Sequence, residues 1–387
     1  MLEQNIGVGG FYKSLAKIYY YGLSAFYNIS GNKKDSLSSL EKLMDLDPSN
    51  PEIHWKIGIN HLRTQNFNLA LKHLESAVSK GSNNPKYLLW LSSAQNSLGN
   101  HQESLQIIED VVKQKPDSHE AWFLQGQINL NCGELNKAVE CFEKAVMFNT
   151  QNLSYWNELG FTYISLRQPI KALESFFNGL KINSKDSTIL FNIGLVYIKL
   201  EKFEESLKYL EKAKKYKLMT TELFNALGLC YSYQGNTSKA EENYLKVLSI
   251  CPDNIEAICN LAAIKGKKSF YNDAIALYES LISINKYDGT ILNNIAWCLE
   301  NIKNWEQAIN YYYRALALEP QNSSFRLNLC ECLIGRGYLI EAINHLEQLI
   351  KIDPVNSKAW QLLGKIYDSC KLHAKAIDCY NKALGLE

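Results

Sequence analysis

The stretch LSYWNELGFTYISLRQPIKALESFFNGLKINSKD, residues 153–186, decides the fold of this chain. It contains two runs in which apolar residues recur at three- and four-residue spacing, with a polar turn between them, which predicts a pair of amphipathic helices. The pattern returns every 34 residues, as a set of glycines at this spacing shows: Gly126, Gly160, Gly194 and Gly228. A period of this length is typical of helical repeat proteins. The sequence therefore predicts an all-α solenoid built from helical hairpins.

The register extends from this stretch in both directions without an insertion or a deletion. It defines eleven repeats, of which ten have 34 residues and the last covers residues 357–387. Residues 1–16 precede the first repeat and are expected to form an N-terminal extension that caps it. Residues 17–387 then form a single array, whose repeats begin at residues 17, 51, 85, 119, 153, 187, 221, 255, 289, 323 and 357.

Three positions of the repeat predict how the helices of a hairpin pack. Position 8 holds glycine in six repeats and another small residue in the others, and position 20 holds alanine or serine throughout. Two helices approach closely only where neither carries a bulky side chain, so we expect them to cross here. Position 24 supplies the complementary bulk, as in Phe142 and Phe176. Position 34 holds Asn, Asp, Ser or Thr at every joint between repeats, which predicts an N-cap for each following helix.

The fifth repeat resembles the tetratricopeptide repeat, whose 34-residue pattern has Trp, Leu-Gly, Tyr, Ala, Phe and Pro at fixed offsets. The matching residues are Trp156, Leu159, Gly160, Tyr163, Ala172 and Phe176, while Ser184 replaces the final proline. By this resemblance, the hairpins stack into a right-handed superhelix and the first helix of each hairpin lines its concave face. The resemblance also implies that repeat positions 2, 5, 6, 9, 12 and 13 face a ligand, which is expected to be a peptide or another protein.

The expected ligand-facing positions carry aromatic and amide side chains. A partly exposed aromatic ring is a common binding hot spot, and a side-chain amide can both donate to and accept from a peptide backbone. The aromatic candidates are Trp55, Trp90, Phe123, Phe161, Phe191 and Trp297. The amide candidates are Asn157, Asn192, Asn225, Asn260, Asn293, Asn294 and Asn328. The alternative for every candidate is a role in helix packing, which is the expected role of the tryptophans at position 4: Trp122, Trp156 and Trp360.

Charge, cysteines and motifs restrict the classes of function. Lys plus Arg number 41 and Asp plus Glu 40, so the net charge is +1 and no basic footprint predicts binding to nucleic acid. No apolar run is long enough to predict a membrane span. The ten cysteines include no Cys-x-x-Cys pair, so we expect reduced thiols, no metal site and no cofactor. Because no phosphate-binding loop or acid-base constellation is recognisable, we expect the chain not to be an enzyme.

These features favour a protein interaction scaffold that binds a peptide or protein in its concave groove and lies in the cytoplasm. One alternative is the substrate-recruiting or regulatory arm of a glycosyltransferase or other enzyme, encoded on a longer chain or in a partner. The amide row resembles the one in the repeat domain of O-linked N-acetylglucosamine transferases, which favours a glycosyltransferase among the possible enzymes. Another alternative is an architectural subunit of a large assembly.

The C-terminal edge of the array is expected to be apolar. Ile377, Tyr380 and Leu384 have no following hairpin in this sequence to pack against, whereas the equivalent residues of earlier repeats do. A repeat array stays soluble only if its terminal faces are polar or covered. We therefore expect either that the natural chain continues beyond residue 387, or that this edge associates with a second copy or another protein.

Overall fold

The computed structural model describes residues 2–386, with side chains described from Lys13 to Leu386. All regular secondary structure in these residues is helical. The twenty-two helices found there are α1 Leu2–Ile29, α2 Lys33–Leu46, α3 Pro51–Arg63, α4 Phe67–Lys80, α5 Pro85–Ser97, α6 His101–Gln114, α7 His119–Asn131, α8 Leu135–Phe148, α9 Leu153–Ser165, α10 Pro169–Ile182, α11 Ser187–Lys199, α12 Phe203–Lys215, α13 Thr221–Tyr233, α14 Thr237–Ile250, α15 Ile255–Lys267, α16 Tyr271–Ser283, α17 Gly289–Asn301, α18 Trp305–Leu318, α19 Ser323–Arg336, α20 Leu339–Ile352, α21 Ser357–Ser369 and α22 His373–Leu384.

The chain divides into two compact bodies, Met1–Leu200 and Glu201–Glu387, called here the N-terminal and C-terminal bodies. The N-terminal body contains five complete hairpins followed by α11, and the C-terminal body contains α12 followed by five complete hairpins. Within each body the two helices of a hairpin contact each other, and the second helix contacts the first helix of the next hairpin. Several neighbouring first helices also contact each other directly, among them α3 with α5 and α17 with α19. Their exposed faces are therefore neighbours on one surface of each body.

The first helices begin where the sequence register predicts. From α3 to α21, the odd-numbered helices start at residues 51, 85, 119, 153, 187, 221, 255, 289, 323 and 357. The exception is α1, which begins at Leu2, so that residues 2–16 continue without a break into the first helix of the first repeat. The expected capping of that repeat by residues 1–16 concerns side chains that lie largely outside the described residues.

The predicted N-caps are present at all ten joints. The position-34 side chain accepts a hydrogen bond from a backbone N–H in the first turn of the following helix, at Asn50, Asn84, Ser118, Asn152, Asp186, Thr220, Asn254, Asp288, Asn322 and Asn356. Each such bond satisfies a backbone donor that has no partner within the helix and contributes about 1 kcal/mol. The caps therefore define where each repeat starts.

One residue in every hairpin turn has a left-handed backbone. It occupies repeat position 15, where φ lies between 57° and 91° in all eleven repeats. Glycine fills this position in five repeats, as Gly31, Gly99, Gly133, Gly235 and Gly337. In the other six repeats the position carries a side chain: Gln65, Arg167, Glu201, Ser269, Lys303 and Lys371. A residue with a Cβ atom is disfavoured in this conformation by roughly 1–2 kcal/mol.

The predicted crossing of small against large residues is confirmed within both bodies. A Cβ atom added to Gly160 would lie 2.5 Å from the ring of Phe176, and one added to Gly228 would lie 2.6 Å from the ring of Tyr244. Both rings are fully buried. Because interiors are close-packed, the missing Cβ atom is what allows each ring to fill the crossing.

The apolar C-terminal edge is present at two of the three expected residues. Ile377 and Leu384 are exposed, whereas Ile309 and Leu316, at the same positions two repeats earlier, are buried. Tyr380 is instead half-buried, because its ring packs at the crossing with Gly364 in its own hairpin. The expected continuation of the chain or association at this edge stays a prediction. None of the helices in the described residues combines the length and the apolar character that a bilayer crossing requires.

Candidate functional site

The tryptophans at position 4 tie each repeat to the one before it. Their indole N–H groups donate to a backbone carbonyl six residues earlier: Trp122 to Pro116 at 2.8 Å, Trp156 to Thr150 at 2.9 Å and Trp360 to Pro354 at 2.8 Å. Arg326 occupies position 4 of its repeat and uses the equivalent acceptor, the carbonyl of Pro320, at 2.6 Å. These side chains serve the joint between repeats, in agreement with the packing role expected for them.

Trp55 and Trp90 lie half-buried on the first-helix surface of the N-terminal body. The Lys86 ammonium is 3.6 Å from the centre of the Trp55 ring, and the Tyr87 ring lies 6.3 Å away. Both indoles pack against a buried cluster that includes Leu74. The two rings therefore contribute to packing between hairpins, and their predicted contact with a ligand stays a prediction.

Phe123 and Phe191 are also half-buried. The Phe123 ring stacks on Tyr155 with 4.4 Å between ring centres, and Phe142 lies 5.5 Å from it. Stacking of this kind stabilises the contact between neighbouring hairpins. The Phe123 ring, which was expected to face a ligand, therefore uses part of its surface for contacts within the protein.

Two asparagine pairs join neighbouring first helices in the same way. Asn192 Nδ2 donates to Asn157 Oδ1 at 2.9 Å, and Asn328 Nδ2 donates to Asn293 Oδ1 at 2.9 Å. In each pair, position 6 of one repeat donates to position 5 of the repeat before it. The Nδ2 groups of Asn157 and Asn293 take no part in these bonds. Asn157 is half-buried and Asn293 is buried, so the Asn157 amide is the more open of the two to a carbonyl of a ligand.

The remaining amide candidates do not form such pairs. Asn225, the equivalent of Asn157, donates instead to Asn254 at 3.3 Å and to Glu256 at 3.1 Å. Asn294 donates to the hydroxyl of Tyr278 at 3.3 Å. Asn260 is half-buried on α15. A row of asparagines in the sequence therefore becomes two paired sites, one in each body, with other amides between them serving local contacts.

Phe161 and Trp297 are the most open of the predicted aromatic candidates. Phe161 is 40% exposed and Trp297 is 42% exposed. Both occupy position 9, one helical turn after Asn157 and Asn293 respectively, so each ring shares a helix face with a paired amide. The Trp297 ring also makes an edge contact with Tyr271, with 5.7 Å between ring centres. The combination of a paired amide and an open ring is thus present once in each body.

Sequence reasoning missed one surface beside Phe161. Leu195 occupies position 9 of the next repeat, is 38% exposed and, together with Phe161, lines an apolar recess between α9 and α11. Arg167 and Lys199 also line this recess. Leu195 and Lys199 occupy expected ligand-facing positions, but the sequence candidates include only aromatic and amide residues. The aliphatic Leu195 at position 9, an expected ligand-facing position, was the sequence feature that could have indicated this surface.

Three histidines meet between α3 and α4. His54 Nδ1 lies 3.3 Å from His73 Nδ1, and the His61 ring stacks on the His73 ring with 5.8 Å between their centres. Burial lowers the pKa of His73 to about 4, and the nearby histidines, Lys72 and Lys80 act in the same direction. The sequence places His54 and His61 on one helix but gives no sign that His73 joins them. At neutral pH the cluster contains a neutral His73.

The cysteines of the described residues are free thiols, and several are deeply buried. Burial raises the pKa of Cys330 and of Cys332 to about 12, so both remain protonated and unreactive at neutral pH. No group of three or more His, Cys, Asp or Glu side chains suited to a metal ion is found in the part of the chain that the structure describes.

The hairpin array defines a helical repeat protein with amides and open apolar side chains on its first helices. Family models described as the tetratricopeptide repeat match residues 56–119, 119–152, 187–218, 221–254, 302–366 and 357–387. These matches together cover more than half of the chain. The chain belongs to the tetratricopeptide repeat family.

Three curated relatives show the range of proteins that this chain resembles. BBSome complex member BBS4 of Bos taurus is 24% identical over 289 residues, which are 75% of this chain and 56% of the relative. The peroxisomal targeting signal receptor of Saccharomyces cerevisiae is 24% identical over 257 residues, 66% of this chain and 37% of the receptor. Protein O-mannosyl-transferase TMTC1 of Homo sapiens is 30% identical over 97 residues, 25% of this chain and 11% of the transferase. The chain thus spans less than two thirds of the length of these relatives.

A solved structure with a similar fold is the C-terminal part of a TPR repeat-containing protein from Cytophaga hutchinsonii. Its TM-score is 0.48 and its sequence is 19% identical, over 62% of this chain and 98% of that one.

Proposed function

We propose that this chain is a protein interaction scaffold whose first-helix surface binds an extended segment of another polypeptide. The observation that carries the proposal is the repeated combination of a paired amide and an open aromatic ring, Asn157 with Phe161 and Asn293 with Trp297. Its recurrence at the same repeat positions in both bodies is difficult to ascribe to packing, because packing would bury the rings.

The chemistry of this combination suits an extended backbone. The amide at position 5 accepts a hydrogen bond from the amide at position 6 of the next repeat, which fixes the orientation of its Nδ2 group. A donor held in place before binding loses little entropy when it meets a ligand carbonyl. The neighbouring ring then supplies apolar contact area, and an anchor of this type contributes about 2 kcal/mol or more at a typical interface. Neither contact requires catalysis or a cofactor.

The names of two relatives agree with this proposal. One is a member of the BBSome complex and the other is a receptor for a peroxisomal targeting signal. Each is named for its association with another protein. We extend only this general property of association to the chain. We further propose that the chain binds neither nucleic acid nor membrane. The balanced charge of 41 basic and 40 acidic residues supports the exclusion of nucleic acid.

The test is a comparative capture experiment with quantitative mass spectrometry. We expect Asn157→Ala with Phe161→Ala, and separately Asn293→Ala with Trp297→Ala, to lose most of the partners that the unmodified chain captures. Leu245→Ala is the matched control, because Leu245 is an exposed apolar residue on the second helix α14. If these two double variants, called here the groove variants, capture the same partners as the unmodified chain, the first-helix surface is not the binding site.

A second candidate function is the recruiting arm of a glycosyltransferase, favoured by the match to a protein O-mannosyl-transferase. The test is to assay the full-length gene product and its captured partners for sugar transfer to protein. Transfer that is lost in the Asn157 and Asn293 variants would establish this role, and a full-length product without transferase activity in its complexes would remove it.

We also propose a cytoplasmic location, because reduced thiols are the rule in that compartment and the ten cysteines are free. Fractionation of cells that express the tagged full-length protein tests this location.

A further inference from the structure

The recess between α9 and α11 differs from the first-helix surface of the two preceding repeats. Its volume is about 570 Å³, and its apolar lining includes Phe161, Ile164 and Leu195. In the two preceding repeats, position 9 carries Ser93 and Gln127, which are polar. At position 9 of the four repeats that begin with α5, α7, α9 and α11, the exposed apolar side chains are therefore Phe161 and Leu195. The recess is large enough to accept an aromatic or branched aliphatic side chain. Burying such a side chain contributes about 1.5–3 kcal/mol.

Two cations at this recess lack acidic partners. Within the described residues, neither Arg167 nor Lys199 forms an ion pair. Several other cations on first helices of the same body are engaged: Lys56 lies over the Tyr21 ring, Arg63 donates to Asn28, and Lys86 pairs with Glu52. No acidic residue lines the recess. Its charge is therefore complementary to a carboxylate.

Arg167 gives the recess a direction. It follows Phe161 by six residues and belongs to the turn after the helix. A ligand carboxylate is therefore attracted at the Arg167 end of the recess.

We propose that this recess binds an internal segment of a partner polypeptide in which an apolar side chain is followed by an aspartate or glutamate. The apolar side chain enters between Phe161 and Leu195, and the carboxylate meets Arg167 and Lys199. The carboxylate in this proposal belongs to a side chain, and a chain terminus is the alternative that the experiment below tests. The proposal rests on the proposed function, since it names the ligand of the same surface.

The experiment uses the full chain and an array of nine-residue peptides that are acetylated and amidated at their ends. A central Leu or Phe is followed by Asp, Glu, Asn, Gln or Lys, with Gly and Ser elsewhere. We expect retention of the acidic peptides to exceed that of their amide counterparts about tenfold, which corresponds to about 1.4 kcal/mol. Arg167→Gln with Lys199→Gln should abolish this preference. Gln65 occupies the same repeat position as Arg167, so glutamine is tolerated in that turn.

Two further double variants separate the contribution of charge from that of apolar contact. Lys181→Gln with Lys185→Gln removes the same charge from exposed positions outside the recess and should leave the acidic preference unchanged. Phe161→Ala with Leu195→Ala should weaken retention of every peptide in the array, acidic or neutral. Circular dichroism verifies that each variant keeps the helix content of the unmodified chain.

Several outcomes would overturn the proposal. An acidic preference that persists in the Arg167 and Lys199 double variant would show that other residues read the carboxylate. Stronger retention of peptides with a free C-terminus would assign the two cations to a chain terminus. If neutral peptides bind through Phe161 without any acidic preference, the proposed function stands and this inference fails. If no peptide binds and the groove variants capture the same partners as the unmodified chain, both fail.

Discussion

The Trp156 indole donates its N–H to the carbonyl of Thr150, whereas the Trp297 ring lies on the first-helix surface with 42% of its area exposed. The same residue type thus serves the joint between repeats at position 4 and an open surface at position 9. At position 4 the indole replaces water as the partner of a backbone carbonyl between two helices. At position 9 the ring gains little from the fold itself, because much of its surface remains in contact with solvent.

Substitution of these two residues should separate stability from binding. We expect Trp156→Ala to lower the free energy of unfolding by about 2 kcal/mol or more, because it removes both a packed ring and a hydrogen bond. Trp297→Ala should lower it less than Trp156→Ala does, because the Trp297 ring is 42% exposed. Trp90→Ala should resemble Trp156→Ala, since Trp90 is half-buried in the structure. Thermal melting measures all three, and a melting temperature lowered equally by Trp297→Ala would contradict the assignment of that ring to a binding surface.

At the scale of the hairpin, the left-handed residue at position 15 limits stability wherever it carries a side chain. Lys303 and Lys371 have φ values of 63° and 60°. We expect Lys303→Gly and Lys371→Gly each to raise the free energy of unfolding by about 0.5–1 kcal/mol, because glycine adopts this conformation without steric cost. Gly337→Ala is the matched control at the same position and should lower it. The denaturation midpoints of the three variants provide the measurement. A lower midpoint for both glycine variants would show that the entropy of the unfolded chain outweighs the relief of strain.

The histidine cluster between α3 and α4 should make its hairpin sensitive to acid. His73 has a pKa of about 4 in the folded chain and an ordinary value of 6.5 when unfolded. The unfolded chain therefore binds a proton at a higher pH than the folded chain, and stability is lost as the pH falls from 6.5 towards 4. We expect His73→Gln to reduce this loss, whereas His101→Gln, a change elsewhere in the N-terminal body, should leave it intact. Hydrogen exchange of α3 and α4 between pH 7 and pH 4.5 provides the measurement, and equal acid sensitivity in His73→Gln would contradict the role of this residue.

The elements of this fold could be predicted from the sequence because its period repeats the same local rules. Asn152 and Asn356 cap their helices, and Gly160 meets Phe176, for reasons that are visible within one repeat. The details of the candidate site depend on contacts between repeats. Asn225 shares its repeat position with Asn157 and yet donates to Glu256, because that acidic residue happens to lie within reach. Periodicity assigns a residue to a face, but neighbours decide whether the side chain stays open.

On the scale of the whole molecule, the main contacts within each body join helices that are one or two apart in the chain. Folding can therefore nucleate at many hairpins, since none of them must wait for a distant segment to close a loop. We expect fast refolding, in milliseconds or less for the early phase, and an unfolding transition that is not two-state.

Tryptophan fluorescence can follow the two bodies separately. Single-tryptophan variants would report on the N-terminal body from Trp122 or Trp156, and on the C-terminal body from Trp305 or Trp360. Different denaturation midpoints for the two sets would show that one body unfolds while the other keeps its structure, and coincident midpoints would contradict this expectation. With local contacts of this kind, a protease or a destabilising substitution in one hairpin would affect a neighbourhood rather than the entire chain, so the array would fail gradually under stress.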